Sequence, residues 1–255
     1  MATGELYSII LALLTAAVSG LVGAFALMKR MVLAGDVISH IALPGLGLAI
    51  LYGVNPLIGG AATLFLGIIL IWRLQGATTL TVETAIGVIF IASVAIGALI
   101  TPGEELIEAL FGGFEAMGAG SFAVGVVAVI LIAAFIAKFK NRLVLDLFSP
   151  ELAASAGLNL SRLNLYYLLI FGLTILLGLR FLGAVLVGAL IIVPAAIGRQ
   201  LTHTLTAFLL ASALAGVASV ALGLFIASRY GLELGPTVVV VASFLFLLAL
   251  LKKKR

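Results

Sequence analysis

Residues 35–45 read GDVISHIALPG. A carboxylate, Asp36, and an imidazole, His40, stand four residues apart. On a helix that spacing puts both on one face, one turn apart. Carboxylate oxygen with imidazole nitrogen is a ligand set suited to zinc, manganese or ferrous iron. Pro44 follows, and because it has no N–H it leaves the His40 carbonyl without its usual helical partner. Gly45 and Gly47 loosen the same turn. A carbonyl freed beside the two side chains could help hold a cation or a water. The stretch lies inside an apolar run, where an acid costs on the order of 3 kcal/mol near the centre of a membrane helix. A charge kept at that cost is a candidate for function. Two plainer readings compete: Asp36 as an interfacial acid paired with Lys29 or Arg30, and His40 bonding a neighbouring backbone carbonyl.

The elements that must position this pair are membrane helices. Of 255 residues, 64% are hydrophobic and 9% charged, and the mean hydropathy is +1.37. A soluble domain of this length needs far more charge on its surface. With no cysteine there are no disulfides. Apolar runs long enough to span occur at about 6–28, 31–53, 56–72, 81–101, 119–137, 163–179, 181–198, 204–227 and 236–251. None alternates like a barrel strand. The expectation is an all-α integral membrane protein, a polytopic bundle of about nine transmembrane helices, with eight to ten as the range. The first run reads as a span rather than a cleaved leader, since Glu5 stands where a positive segment would precede it. The chain reads as one transmembrane domain over 1–255, and its net charge of +4 is no nucleic-acid signal.

Charge placement then orients the bundle. If the spans alternate, twelve of the fourteen Lys and Arg residues fall on one side and only Arg180 and Arg229 on the other. The positive side faces the cytoplasm, which puts the N-terminus outside, the C-terminus inside, and the chain as a multi-pass protein in the cytoplasmic membrane. The outer side is acidic, with Glu5, Glu104, Glu105, Glu108, Glu115 and Glu233. Within its longest connection, 101–118, apolar residues recur at helical spacing and predict a short interfacial helix. The inner side carries a long polar connection over 138–162. There SPELAASAG predicts a short helix: Ser149 can cap, Pro150 suits the first position, Glu151 favours the start, and Gly157 can end it.

Other polar groups have plain roles available. Glu83 opens the fourth span, where its charge suits a helix N-terminus; it becomes a third ligand only if that helix lies beside Asp36. Pro194 should kink the seventh span, and His203 falls in an inner loop. In the eighth span Ala207, Ala211, Ala215, Ser219, Gly223 and Ala227 form a small-residue series that invites close helix packing. No G-x-x-x-x-G-K-[ST] loop occurs, so the chain does not hydrolyse ATP itself, and neither histidine is followed by the glutamate of an H-E-x-x-H protease. No enzyme activity is expected.

At this point the sequence resembles the membrane permeases of zinc, manganese and iron ABC importers. The matching stretches are GDVISHIALPGLGLA, ETAIGVIF, EALFGG, FSPELAASAGLN, FLGAVLVGALIIVPAAIGRQL and GLELGPTVVV, which together cover nearly the whole chain. The resemblance implies a homodimer with the path on its axis, separate ATP-binding subunits on the cytoplasmic face, and an extracytoplasmic metal-binding protein that delivers the ion. It implies no permanently bound cofactor, only a transported divalent ion. It places metal handling on Asp36 and His40. It makes the loop at about 143–162 a coupling loop, with Ser149, Pro150, Glu151, Ala154 and Gly157 in the helix that docks on the ATPase. Two other readings remain: a proton-coupled secondary transporter using the same pair, and an ABC permease for a metal chelate such as cobalamin or a siderophore.

Overall fold

The computed structural model describes residues 3–31, 33–77, 81–100 and 116–251, and every element among them is helical. In chain order these are α1 (Thr3–Met28), α2 (Ala34–Ser39), a 3₁₀ turn (His40–Ala42), α3 (Leu43–Leu51), α4 (Pro56–Ala77), α5 (Val82–Ile100), α6 (Ala119–Phe148), α7 (Pro150–Ser155), α8 (Leu160–Leu201), α9 (Leu205–Tyr230) and α10 (Leu234–Leu251). Seven stretches are long and apolar enough to cross a membrane, with Ala34–Leu51 counted as one and Leu160–Ala184 as another. Two shorter apolar stretches, Thr84–Ile100 and Leu186–Leu201, occupy the fourth and seventh predicted positions. The expected all-α polytopic bundle forms.

In lipid, helices gain little from the hydrophobic effect and associate through close backbone approach. Here α1 is the centre of such approaches. A methyl group on its Gly20 would collide with the Ser212 carbonyl of α9, and one on Gly23 with the Ile191 carbonyl of α8. The small-residue series of α9 is used with a shift. Its first half packs through Phe208, Ser212 and Gly216 rather than Ala207, Ala211 and Ala215, while Ser219, Gly223 and Ala227 are buried as expected. The shift follows from two partners: Ser212 and Gly216 meet α1, whereas Gly223 meets Val238 of α10.

The run over α8 is not one rod. Gly183 has φ 69° and ψ 179°, a region open in practice to glycine alone. A methyl on Gly178 would collide with Val187, yet nine residues along a straight helix span about 13 Å. The chain therefore turns back at Gly183, giving a long arm (160–182) and a short arm (184–201). The turn falls where the sixth and seventh spans were expected to part.

One expectation about connections is corrected. Residues 138–148 are not loop; α6 runs unbroken to Phe148. Charges disqualify a residue from lipid but not from a helix, and Lys138, Lys140 and Arg142 ride on a helical extension that still buries Leu143. Cross-links then gather the ends of the bundle. Lys29 pairs with Asp146 at 2.9 Å, the Trp72 indole N–H donates to the Ser161 carbonyl at 3.1 Å, and Asn164 donates to Gln75 at 3.1 Å. At the opposite end the Met117 N–H donates to the Gly4 carbonyl and Tyr7 stacks on Phe122. The predicted interfacial helix lies outside the described residues over 101–115, as do the terminal cations at 252–255.

Candidate functional site

Asp36 sits in the first turn of α2, exposed on the single chain, and His40 opens the 3₁₀ turn, half-buried. The His40 Nδ1 lies 2.8 Å from the backbone carbonyl of Asp36. A carbonyl can only accept, so Nδ1 carries a proton, and in the neutral ring Nε2 then keeps its lone pair. An Nδ1–H bond to backbone is the usual way a protein fixes an imidazole for metal binding through Nε2. The backbone bond anticipated for His40 thus forms, and it leaves Nε2 outside that bond. Phe90 of α5 packs edge-on against the imidazole, centroids 5.5 Å apart and planes at 90°.

The carboxylate of Asp36 has no ion-pair partner among the described residues. Lys29, one of its two proposed partners, is drawn away to Asp146 on α6. No group of three His, Cys, Asp or Glu side chains gathers among the described residues, which offer two candidate ligand side chains here.

Corrections follow for the residues after His40. The His40 carbonyl is not free: the Leu43 N–H reaches it by tightening the helix into the 3₁₀ turn, the ordinary way to satisfy a carbonyl when the residue four along cannot donate. Pro44 itself is buried near the start of α3. Gly45 serves packing rather than looseness, since a methyl there would collide with the Gly59 carbonyl and Thr63 hydroxyl of α4. Gly47 is buried in the same helix. Glu83 is the second residue of α5.

The predicted inner helix is α7, Pro150–Ser155, with Pro150 at its first position and Glu151 in its first turn. Ser149 occupies the cap position but its side chain makes no capping bond; its carbonyl instead accepts from Ala153 at 3.0 Å. Gly157 has φ 77°. The Gly157 and Leu158 N–H groups donate to the carbonyls of Ala154 and Ala153, both at 3.0 Å, which is a Schellman closure. Ala153 is buried against the bundle, whereas Ala154 is exposed. Phe148 and Leu152 are 77% and 61% exposed, so α7 presents an apolar face away from its own chain.

Three groups near these sites escaped the sequence reading. Ser39 is fully buried and bonds across to α8; its place inside S-H next to the candidate ligand was the available signal. Phe90 lies within ETAIGVIF but has no polar atom to draw notice. Asp146 is the single acid of α6 and follows the cations of 138–142, and its partner is 117 residues away.

The chain matches the family model described as "ABC 3 transport family" over residues 6–253. It is 31% identical over 256 residues to the high-affinity zinc uptake system membrane protein ZnuB of Haemophilus influenzae, covering 98% of this chain and 96% of that protein. It is 30% identical over 238 residues to the manganese transport system membrane protein MntC of Listeria innocua, covering 92% and 85%. Among solved structures it resembles PsaBC from Streptococcus pneumoniae in complex with Fab, at TM-score 0.82 and 26% identity over 95% of this chain and 89% of that one. A match along almost the entire length, to a family model and to permease proteins on an all-helical membrane bundle, leads to one conclusion: the chain belongs to the ABC 3 transport family, as a multi-pass membrane permease that is not itself an enzyme.

Proposed function

We propose that this permease imports a divalent transition metal ion, zinc or manganese in the first place and ferrous iron by the same ligand chemistry, with ATP hydrolysed by separate subunits. Asp36 and His40 form a transient station for the ion. The observation that carries the reading is the His40 Nε2 lone pair, left by the Nδ1–H bond, one turn from an exposed carboxylate that has no ion-pair partner among the described residues. Two ligands per chain are too few for the four that zinc prefers. A second copy, placed by two-fold symmetry, would supply the other two, which is the argument for a homodimer with the station on its axis. Such a site is labile, as transport requires release as well as capture.

The orientation follows the charge split, with the N-terminus outside and α7 at the cytoplasmic face. There the exposed Phe148, Leu152 and Ala154 form the seat for the ATP-binding subunit. An extracytoplasmic metal-binding protein delivers the ion to the other end. The names of the relatives, a zinc uptake protein and a manganese transport protein, support the substrate class without choosing between the two metals. The test is uptake of zinc and of manganese into vesicles holding the permease with its ATPase, each with the other as competitor. His40→Ala should abolish uptake with basal ATP hydrolysis intact; normal uptake by that variant would end the reading.

A further inference from the structure

We propose that Ser39 is a positioning residue for the Asp36–His40 station, clamping its turn onto the short arm of α8 where that arm leaves Gly183. The inference rests on the metal-station reading above. Ser39 is completely buried. Its Oγ lies 2.6 Å from the carbonyl of Ala184, 2.5 Å from the carbonyl of Asp36 and 3.3 Å from His40 Nδ1. A hydroxyl has one proton and two lone pairs. Donated to Ala184, the proton ties α2 to the residue directly after the Gly183 break; donated to Asp36, it stays within its own turn. The Asp36 carbonyl is also the acceptor that holds the His40 ring. Ser39 therefore touches the backbone group that orients the imidazole and the first residue of the arm beside it.

Gly188 completes the clamp. It lies one turn along the same arm, and a methyl group built on it would stand 2.9 Å from the backbone of Asp36. Real Cβ contacts are not that short, so a larger residue there must push Asp36 away. The arm's direction is set by the glycine-only conformation at Gly183. Carboxylate and imidazole are thus positioned by a surface built from Gly183, Ala184 and Gly188, with Ser39 as the polar tie. The competing role is a buried serine that only satisfies a packing need. That role would lower the amount of folded protein, and the maximal rate with it, while leaving the apparent affinity of each folded transporter unchanged.

The experiment separates the two. Uptake of zinc and of manganese is measured in vesicles holding the assembled transporter, normalised to folded permease, for wild type, Ser39→Ala, Ser39→Thr, Gly188→Ala and His40→Ala. Loss of an outer partner to a metal ligand typically costs 10–100-fold in affinity. Ser39→Ala should raise KM for metal about tenfold with basal ATP hydrolysis unchanged, Ser39→Thr should restore most of it, and Gly188→Ala should raise KM with the hydroxyl still present. If Ser39→Ala keeps the wild-type KM, or loses only maximal rate, the positioning role is overturned. If Ser39→Ala does not fold, Gly188→Ala decides, and a wild-type KM in that variant overturns the clamp. His40→Ala keeps the two ideas apart: transport by it refutes the station itself, whereas its failure beside a normal Ser39→Ala refutes only the clamp.

Discussion

Removing Lys29 should harm the fold more than neutralising its partner. Lys29 Nζ and Asp146 Oδ2 are 2.9 Å apart, and their side chains are only 11% and 15% exposed. The ammonium also stands over the Tyr167 ring, 5.5 Å from its centroid. At an effective dielectric of about 20, two charges at this separation attract by roughly 6 kcal/mol, a gross figure before desolvation. Exposed pairs return about 0.2–1 kcal/mol; breaking a fully buried one by removing one partner costs about 3–5 kcal/mol. With a little water still reaching both groups, Lys29→Met should cost about 2–3 kcal/mol, because it strands a carboxylate. Asp146→Asn should cost about 1–2 kcal/mol, since an amide oxygen still accepts from Lys29 and the ring contact, itself worth about 0.5–2 kcal/mol, survives. For a chain of this size each kcal/mol moves the midpoint by about 2–4 °C. Thermal unfolding in detergent should therefore place Lys29→Met roughly 5–10 °C below wild type. The double variant Lys29→Met with Asp146→Leu should recover most of the loss, because no buried charge remains. The reasoning fails if Asp146→Asn proves the more damaging single change, or if both singles unfold within about 1 °C of wild type.

Four further outcomes are expected. Asp36→Asn should abolish metal uptake yet be no less stable, since it removes a charge from an apolar span and strands no ion-pair partner among the described residues; strong destabilisation in the same unfolding assay would mark Asp36 as structural. Ala154→Trp, on the exposed side of α7, should leave the permease folded while uncoupling ATP hydrolysis from uptake, and normal metal-stimulated hydrolysis in that variant would count against a coupling role. Gly45→Ala should destabilise by about 1–3 kcal/mol through overpacking against the Gly59 backbone, read as a lowered midpoint, with a neutral result excluding the tight crossing. Single cysteines at Ser149 and Asn55 should label from opposite membrane faces, Asn55 from outside; Ser149 labelling from outside would overturn the proposed orientation.

Hydropathy made most of the bundle legible, because a lipid solvent forces long apolar runs and tolerates few exceptions. The Asp36–His40 pair stood out for the same reason, as polar groups against an apolar background. What escaped lies in relations that composition does not encode. A break between the sixth and seventh spans was legible beside Arg180, but the residue that makes the turn, Gly183, is one glycine among 29, and its backbone angles single it out. The chain past Ala137 was taken for loop on its charges, although a helix can leave the membrane and continue in water. The freed carbonyl at His40 was argued from proline alone and neglected the neighbouring N–H of Leu43, which closes the gap with a shorter turn. The proton on Nδ1, the tie from Ser39 and the partner of Lys29 depend on which side chains meet across the bundle, and a single sequence is silent on that.

The length of α6 has a mechanical consequence. Thirty residues at 1.5 Å each make a rod about 45 Å long, while the hydrocarbon layer is about 30 Å thick. Even tilted by about 20°, the rod outreaches that layer by roughly 12 Å. Its surplus, about nine residues, bears Lys140 and Arg142 and delivers Phe148 and α7 to their place. The ATP-binding subunit proposed to seat on α7 would therefore be held clear of the acyl chains and would grip the far end of a stiff lever. A swing of about 5° in a rod of this length moves the tip by about 4 Å. Displacement at the seat reaches the far end scaled by where the rod pivots, and the Lys29–Asp146 pair, less than one turn from the tip, is where that motion first meets α1.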